Sequence, residues 1–387
     1  MSNQDFQEIG HSGGKVTFAI RGTSEGHVSY QVQWSHARPV PTAVFAVYAI
    51  PQGVPVGDID IKGMGVPWNP PPILDCFPVF IASDGESMFG RQCDRCGGYW
   101  RVKHLAKVCP YCGTEAAQSY HFLTGAQLRY VKQYCDFLND ALGGDQDGDY
   151  TIDMDAVADA VGNEGEPPPF YQSEERQQNL FQCDACGAVN DVLGTYAYCS
   201  QCATRNDLQE LRKVLSRVRD SLTAGGSNEA AVKEAVAAFD SFSSQVAGQM
   251  LRTVPMTPAR RDRVEKTRFH NLETTIAMFG EVFGIEIMKG LSSDDAGFVT
   301  LRFHRRHVYE HKGGEADEKY IADSGDAVRL KQALRETKDS AHRTIGLVGR
   351  IAGSLHEGFH SIFPPREEPI ERFKQQKRGD AAPVPSR

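Results

Sequence analysis

The first ninety residues alternate apolar and polar positions with the period of two that β-strands show. The segments KVTFAIRG, VSYQVQW and TAVFAVYAI are rich in β-branched and aromatic residues, and breaks rich in Gly and Pro separate them. The stretch VPWNPPPILDCFPVFI contains too many prolines for a central strand. This pattern predicts a β-rich domain over residues 1–90, a small sandwich or barrel, in which we find no chemical motif.

The last half of the chain follows the helical period instead. From residue 205 to residue 365, Leu and Val recur at i, i+3, i+4 and i+7 in segments that end at Gly pairs or at Pro255 and Pro364. Four or five such segments, each with one apolar stripe, predict a helical bundle over 205–365. The tail 366–387 lacks apolar periodicity, and we expect it to be disordered.

Two copies of one cysteine pattern lie between these regions. QCDRCGGYWRVKHLAKVCPYC begins at residue 92 and QCDACGAVNDVLGTYAYCSQC at residue 182, each with twelve residues between two C-x-x-C pairs. Four thiolates in two such pairs form a closed tetrahedral Zn²⁺ site, which predicts zinc ribbons at 91–115 and 181–204. A redox role fits four matched pairs less well. The predicted ligands are Cys93, Cys96, Cys109, Cys112, Cys183, Cys186, Cys199 and Cys202.

Residues 116–180 combine helical segments with an acidic linker. HFLTGAQLRYVKQYCDFLNDALGG has helical periodicity and ends in Gly, and IDMDAVADAVG predicts a second short helix. The chain has a net charge of −8, yet residues 133–175 contain twelve acidic and no basic residues, so the remainder is mildly basic. DQDGDYTIDMDA begins like an EF-hand loop, but Tyr150 and Ala156 occupy the positions that need Gly and Glu. We interpret it as a solvated acidic loop.

The first ribbon carries basic and aromatic side chains of the kinds that contact phosphates and stack on bases. The second ribbon has no Lys or Arg between its cysteines. A solvated charged surface and a protein-binding surface are the alternatives. The candidate RNA contacts in the first ribbon are Arg95, Arg101 and Lys103.

The stretch RRHVYEHKGG (305–314) concentrates cations near the end of a predicted helix. It admits three interpretations. The first is a basic surface helix whose last turn answers the helix dipole. The second is a metal site made by His304, His307 and His311, which share one helix face but have arginines beside them. The third is a site that cleaves phosphodiesters, since His moves protons near neutral pH and Arg binds phosphate with two hydrogen bonds.

In this stretch Arg306 is followed directly by His307 and, after four spacer residues, by His311. The longer segment FHRRHVYEHKGGEADEKYIADSGD, near the end of a predicted helical bundle, resembles the HEPN superfamily, whose motif is R-x(4–6)-H with a polar residue after the Arg. The resemblance covers roughly residues 205–363.

The resemblance implies a metal-independent endoribonuclease that works as a homodimer, in which the 2′-OH of the RNA attacks the neighbouring phosphate. His311 would transfer the proton, Arg306 would orient the phosphate, and His307 would help position the site. Arg305 would contact flanking phosphate or replace Arg306 in the motif. The zinc ions would be structural, and many relatives are toxins or antiphage effectors.

The sequence as a whole therefore predicts a multidomain α+β protein: a β-rich domain, two zinc ribbons joined by a helical and acidic segment (116–180), and a HEPN-like bundle. No apolar run is long enough to span a bilayer, and MSNQDFQEIG lacks the apolar core of a signal peptide, so we expect a cytoplasmic protein. RNA is the expected partner, and tRNA is a candidate substrate. The alternatives to an endoribonuclease are a non-catalytic zinc-ribbon module that binds nucleic acid or protein, with a bundle that only dimerises, and a regulatory nucleotide-binding bundle.

Overall fold

The computed structural model describes residues 14–22, 28–36, 43–61, 73–83, 86–142, 148–153 and 176–380. The chain forms two compact units. One comprises residues 1–203 together with 366–387, and the other comprises residues 204–365. The described strands all belong to the first unit and most helices to the second. This division matches the predicted α+β organisation at the level of a β-rich N-terminal region and a helical C-terminal half.

The described strands of the first unit form three antiparallel sheets, in the orders β2-β1-β8, β4-β3-β5 and β6-β7-β10-β9. Their bounds in chain order are β1 Gly14–Gly22, β2 Val28–His36, β3 Val44–Ala49, β4 Pro55–Ile61, β5 Phe77–Ala82, β6 Phe89–Gln92, β7 Tyr99–Val102, β8 Gly148–Asp153, β9 Asn179–Gln182 and β10 Val189–Val192.

The sheet β4-β3-β5 carries the main core of the N-terminal region. Every residue of β3 is buried, and Phe45, Val47 and Ala49 pack against helix α1 (Gly125–Leu142). Cys135 lies within this core, and Cys76, the other cysteine outside the repeats, is also buried. The proline-rich stretch supplies β5, which is an edge strand, because Pro78 lacks the N–H that a second neighbour would need.

The β-rich region extends beyond residue 90, because β8 pairs with β1. Residues 148–153 belong to the segment that we interpreted as a solvated loop, and here that interpretation is wrong. Tyr150 pairs with Phe18 and Ile152 with Val16, so alternating apolar residues make this segment a strand. The predicted helix IDMDAVADAVG begins in β8, and its residues 154–162 lie outside the described part of the chain.

The second unit is a bundle built mainly on α2, α3, α6 and α8, with α3 packed against the other three. Its core includes Leu215, Phe239, Val299 and Val348. The helices in chain order are α2 Asp207–Thr223, α3 Asn228–Thr253, α4 Pro258–Lys266, α5 Leu272–Phe283, α6 Ser293–His311, α7 Glu318–Ser324 and α8 Lys338–Ile362.

Helix starts in the bundle are fixed by capping side chains. Ser227, Ser292 and Asp317 each accept a hydrogen bond from the backbone N–H three residues later. Thr337 and Ser340 form a reciprocal capping box, so α8 begins at Lys338 although helical periodicity continues upstream to residue 326. Among the described helices, none is long and apolar enough to cross a membrane.

The prediction of disorder over 366–387 is wrong for residues 367–380, and residues 381–387 lie outside the described part of the chain. Residues Glu367–Asp380 form helix α9, which packs on the second cysteine repeat. Ile370 joins the apolar cluster of the repeat, and the ring of Phe373 lies where a side chain on Gly187 would stand, 2.4 Å from an ideal Cβ. The backbone N–H of Arg366 donates to the carbonyl of Cys202 over 2.8 Å. Two apolar residues three positions apart are too few to reveal this contact in the sequence.

We expect Phe373→Ala to release α9 from the repeat. The lost contact with Gly187 costs about 1–2 kcal/mol, so amide exchange across 367–380 should rise roughly tenfold in the full-length protein. Arg372→Ala, on the exposed face of the same helix, is the matched control and should leave exchange unchanged. Equal exchange in the two variants would show that the packing of Phe373 does not hold the helix.

Candidate functional site

The cysteine repeats fold into four turns of one type. In each C-x-x-C pair the residue after the second cysteine has a positive φ, and its N–H donates to the carbonyl of the first cysteine over 2.7–3.0 Å. Three of these residues are glycines (Gly97, Gly113, Gly187), which adopt this conformation without strain, and the fourth is Ala203. The turns aim both thiols of a pair in one direction.

The thiols of each repeat meet in the geometry of a metal site. Sγ–Sγ distances are 3.8 Å for Cys93–Cys112 and 3.6 Å for Cys96–Cys109 in the first repeat, and the corresponding pairs in the second are 3.7 and 3.5 Å apart. Four sulfurs at 2.3 Å from a tetrahedral Zn²⁺ lie about 3.8 Å apart. Both groups could therefore hold a metal ion, and four sulfur donors without a free position suit a structural Zn²⁺.

The two ribbons are joined into a single structural module. Strand β7 of the first pairs with β10 of the second, and Arg101 forms a buried ion pair with Asp191 over 2.6 Å across this junction. Cysteines of both repeats share one apolar cluster with Trp100 and Phe181. Ser200 of the second repeat accepts hydrogen bonds from the backbone of Lys107 and Val108 in the first. Each four-cysteine group is therefore supported by residues of the other repeat.

The predicted RNA-binding face of the first ribbon is largely absent. Arg101 is only 3% exposed and is held by Asp191 and Glu86, so the prediction that it contacts RNA is wrong. Arg91 is fully buried against the ring of Phe45. Arg95 and Lys103 are exposed, as an RNA contact requires. Two isolated cations do not make the continuous basic track that binds single strands.

The predicted Arg-His site lies on the last turns of α6, which stays helical to His311 before Gly313 and Gly314 reverse the chain with positive φ. His304 and His307 line an open cavity of about 450 Å³. Residues 270–273, at and just before the start of α5, and residues of the segment 312–323 also line it. The charged and imidazole groups on these walls are His270, Glu273, Lys312, Asp317, Lys319 and Asp323.

His307 and His311 form a pair at the end of the helix, with ring centroids 4.8 Å apart. Burial and the neighbouring His311 and His270 lower the pKa of His307 below its usual value. A neutral imidazole can accept a proton, so His307 is suited to act as a base. His311 lies beside it at the helix end, and both residues are exposed to solvent.

Arg306 lies on a different side of α6. It is not among the described residues that line the cavity, and its Nε is buried without a hydrogen-bond partner there. Five helical positions place Arg306 and His311 about 140° apart around the axis. Because α6 is helical from Ser293 to His311, it does not bring these two side chains together. Of the three predicted catalytic residues, the structure therefore places only His307 on the cavity wall.

Arg305 has a structural role instead of the predicted phosphate contact. Its guanidinium is 14% exposed and binds Asp326 over 2.8 Å and Glu336 over 3.2 Å. Tyr320 donates to Asp326, and Tyr309 donates to Glu336. Both carboxylates belong to the segment between α7 and α8, so Arg305 anchors that segment to α6. The alternative in which Arg305 replaces Arg306 in the motif is wrong for the same reason.

Sequence reasoning missed His270. The segment 258–283 has the periodicity of one helix, but helix α4 ends at Lys266 and helix α5 begins at Leu272 with Asn271 as its N-cap. The break places His270 on the cavity wall and also beside a second open cavity of about 570 Å³, lined by Arg263, Lys266 and Arg268 among others. Asn followed by a new apolar stripe is an N-cap signal that could have located this break.

Comparison with models of known protein families, with curated proteins and with solved structures gives no match.

We expect the full-length protein to contain two metal ions per chain. Cys199→Ser removes one thiolate from the second group and should lower the content to one ion or fewer, because the two ribbons share a core. Cys76→Ser, at a buried cysteine outside both groups, should leave two. Mass spectrometry of metal and sulfur in the purified proteins gives the ratio, and an unchanged ratio in Cys199→Ser would contradict the assignment.

We expect Arg305→Ala to destabilise the bundle by about 3 kcal/mol, because it removes an ion-pair partner from the buried carboxylate of Glu336 and from the partly buried carboxylate of Asp326. Arg350→Ala is the matched control: this exposed arginine of α8 binds Asp295, and its loss should cost less than about 1 kcal/mol. Urea unfolding followed by helical circular dichroism compares them. Equal midpoints would show that the Arg305 pair contributes nothing.

Proposed function

We propose that the chain is a metal-independent endoribonuclease whose active site is the cavity beside α6. The observation that carries the proposal is the grouping of His304, His307 and His270 with Lys312 and Lys319 around one open cavity. Imidazoles supply proton transfer near neutral pH, and the lysines supply positive charge for a phosphate. The resemblance of 205–363 to HEPN ribonucleases points to the same chemistry.

The position of each residue suggests a division of roles. Because His307 lines the cavity, we assign to it the removal of the proton from the 2′-OH of the RNA, and to His311 the positioning of His307. This reverses the roles that the resemblance implies. Lys312, at the helix end, would neutralise charge on the phosphate, although it also lies 3.4 Å from Asp317. A bound phosphate would compete with that carboxylate for the lysine.

Arg306 enters the proposal through a second copy of the chain. On one copy Arg306 and His311 project in different directions from α6. Two bundles that pack α6 against α6 around a two-fold axis would bring Arg306 of one copy toward the cavity of the other. The homodimer is therefore part of the proposal, and activity should fall steeply when the protein is diluted below the dissociation constant of the dimer.

The metal sites would take no part in the reaction. Four cysteine ligands leave a tetrahedral ion no open position for a substrate. The ribbons would instead maintain the fold of the first unit, and exposed Arg95 and Lys103 remain proposed RNA contacts on its surface.

A second candidate function is a non-catalytic module that binds nucleic acid. The placement of Arg306 away from the cavity within one chain favours it, because a binding module needs no motif arginine near His307. Binding of RNA without turnover would support this candidate.

The test is cleavage of labelled single-stranded RNA by the full-length protein after brief EDTA exposure. We expect products with 2′,3′-cyclic phosphate ends and no cleavage of the 2′-deoxy analogue. His307→Gln and Arg306→Ala should each lower the rate by about 100-fold or more, while His342→Gln, at a histidine of α8 outside the cavity, should not change it.

The pH dependence of the cleavage rate independently tests whether His307 is the base. The rate should fall as pH is lowered through the depressed pKa of His307, because the protonated ring cannot accept the 2′-OH proton. Loss of this acidic limb in His307→Gln is expected. Wild-type protein that binds RNA but never cleaves it would overturn the ribonuclease proposal.

A further inference from the structure

His270 is held in a defined place between α4 and α5. Its neighbour Phe269 is buried and packs on Phe279, with ring centroids 6.0 Å apart. On the other side Asn271 caps α5 by accepting a hydrogen bond from the N–H of Thr274 over 3.0 Å. With an anchored residue on each side, the backbone of His270 has little freedom, so the side chain is presented to the cavity by a fixed support.

The carboxylate of Asp240 lies beside the imidazole ring of His270. Oδ2 of Asp240, on helix α3, lies 3.9 Å from Nδ1 of His270, and both side chains are about one-third exposed. This distance is that of an ion pair and exceeds a direct hydrogen bond. An acidic group beside one ring nitrogen orients an imidazole and offsets the positive charge that the ring carries when protonated. The other nitrogen is then left for a substrate.

His270 and His307 line the same cavity, His307 from α6 and His270 from the segment between α4 and α5. They are close enough that His270 contributes to lowering the pKa of His307, after burial and His311. When the 2′-oxygen of RNA attacks the neighbouring phosphorus, a base must remove the proton of the 2′-OH and an acid must deliver a proton to the departing 5′-oxygen. Two imidazoles that line one cavity from different elements can divide these two proton transfers between them.

We propose that His270, oriented by Asp240, is the general acid of this site and works together with His307, the base. The inference rests on the proposed ribonuclease function. The 2′-oxygen forms a bond to phosphorus as His307 takes its proton, and the bond from phosphorus to the 5′-oxygen breaks as imidazolium His270 gives its proton to that oxygen. The products are a 2′,3′-cyclic phosphate and a 5′-OH, and each imidazole exchanges its proton with water before the next cycle.

The second cavity extends the inference to the substrate. It shares His270 and Asn271 with the first and carries Arg263, Lys266 and Arg268. Arg263 and Lys266 are paired with Glu281 and Asp262, whereas no ion pair engages Arg268 among the described residues. Since His270 stands at the junction, the RNA strand that leaves the cut on the 5′-oxygen side would continue toward Arg268.

Other charged groups near the two imidazoles will shape the pH profile, and they come from each element around the cavity. On α6 and its end they are His304, Arg306, His311 and Lys312; on α3, Asp240; on α5, Glu273; on the segment through α7, Asp317, Lys319 and Asp323. The pH profile alone is therefore a weak assignment of the acid, and a change of leaving group is a sharper one.

The experiment compares two RNA substrates that differ at one atom. In one the leaving 5′-oxygen is replaced by sulfur, which departs as a thiolate and needs no proton. On ordinary RNA we expect His270→Gln to lose about 100-fold or more in single-turnover rate. On the sulfur-bridged RNA the same variant should stay within a few-fold of wild type, while His307→Gln is impaired on both. Asp240→Asn should show a smaller loss with the same rescue, and His342→Gln should match wild type throughout.

The possible outcomes test the role of His270 as the acid separately from the ribonuclease function. If wild type cleaves both substrates and His270→Gln is impaired equally on both, His270 is not the acid and the inference fails while the ribonuclease stands. If His270→Gln cleaves ordinary RNA at the wild-type rate, it has no role in the reaction. If wild type cleaves neither substrate, the proposed function itself fails. Circular dichroism and thermal unfolding of each variant check that the fold is unchanged.

Discussion

The buried charge network around Glu336 is the constraint on which the cavity depends. Glu336, with a side chain only 1% exposed, lies within reach of Arg302 at 3.1 Å and Arg305 at 3.2 Å, and it accepts from Ser340 at the start of α8. Burying one carboxylate is expensive, and two guanidiniums with a hydroxyl are the kind of compensation it requires. The network joins α6, α8 and the segment between α7 and α8. That segment follows directly on the residues that line the histidine cavity, so the network fixes the chain next to the cavity wall.

Neighbouring arginines on α6 illustrate how position on a helix sets the role of a side chain. Arg305 turns toward Asp326 and Glu336 and holds the fold, whereas Arg306, about 100° further around the axis, carries a buried Nε without a partner. A buried donor without a partner costs free energy, and another chain or a phosphate could satisfy it. Position on the helix also distinguishes the histidines of α6: His304 and His307 line the cavity, whereas His311 is not among its described lining residues.

The first unit obtains stability from coupling between its repeats. The two ribbons form one sheet, share one apolar cluster, and bury the pair Arg101–Asp191 at their junction. A pair of short ribbons has little apolar surface of its own, so metal sites and mutual burial have to supply what a larger core would. Helix α9 covers part of the second ribbon with Ile370 and Phe373, which adds apolar contact at the turn of Gly187.

The sequence by itself determined the features that depend on local spacing. Two C-x-x-C pairs with twelve residues between them specify a four-thiol group, the period of apolar residues specifies the helices, and Gly313 with Gly314 specifies where α6 ends. Only the tertiary structure decided which cations are exposed: Arg101 and Arg305 look like phosphate ligands in the sequence, yet both are buried against carboxylates far along the chain. It also brought His270 from a break between helices to the cavity of His307, and paired strands β7 and β10 from repeats ninety residues apart. Local spacing fixes what the backbone does over a few turns, whereas burial and charge pairing depend on residues distant in sequence, and no short motif contains them.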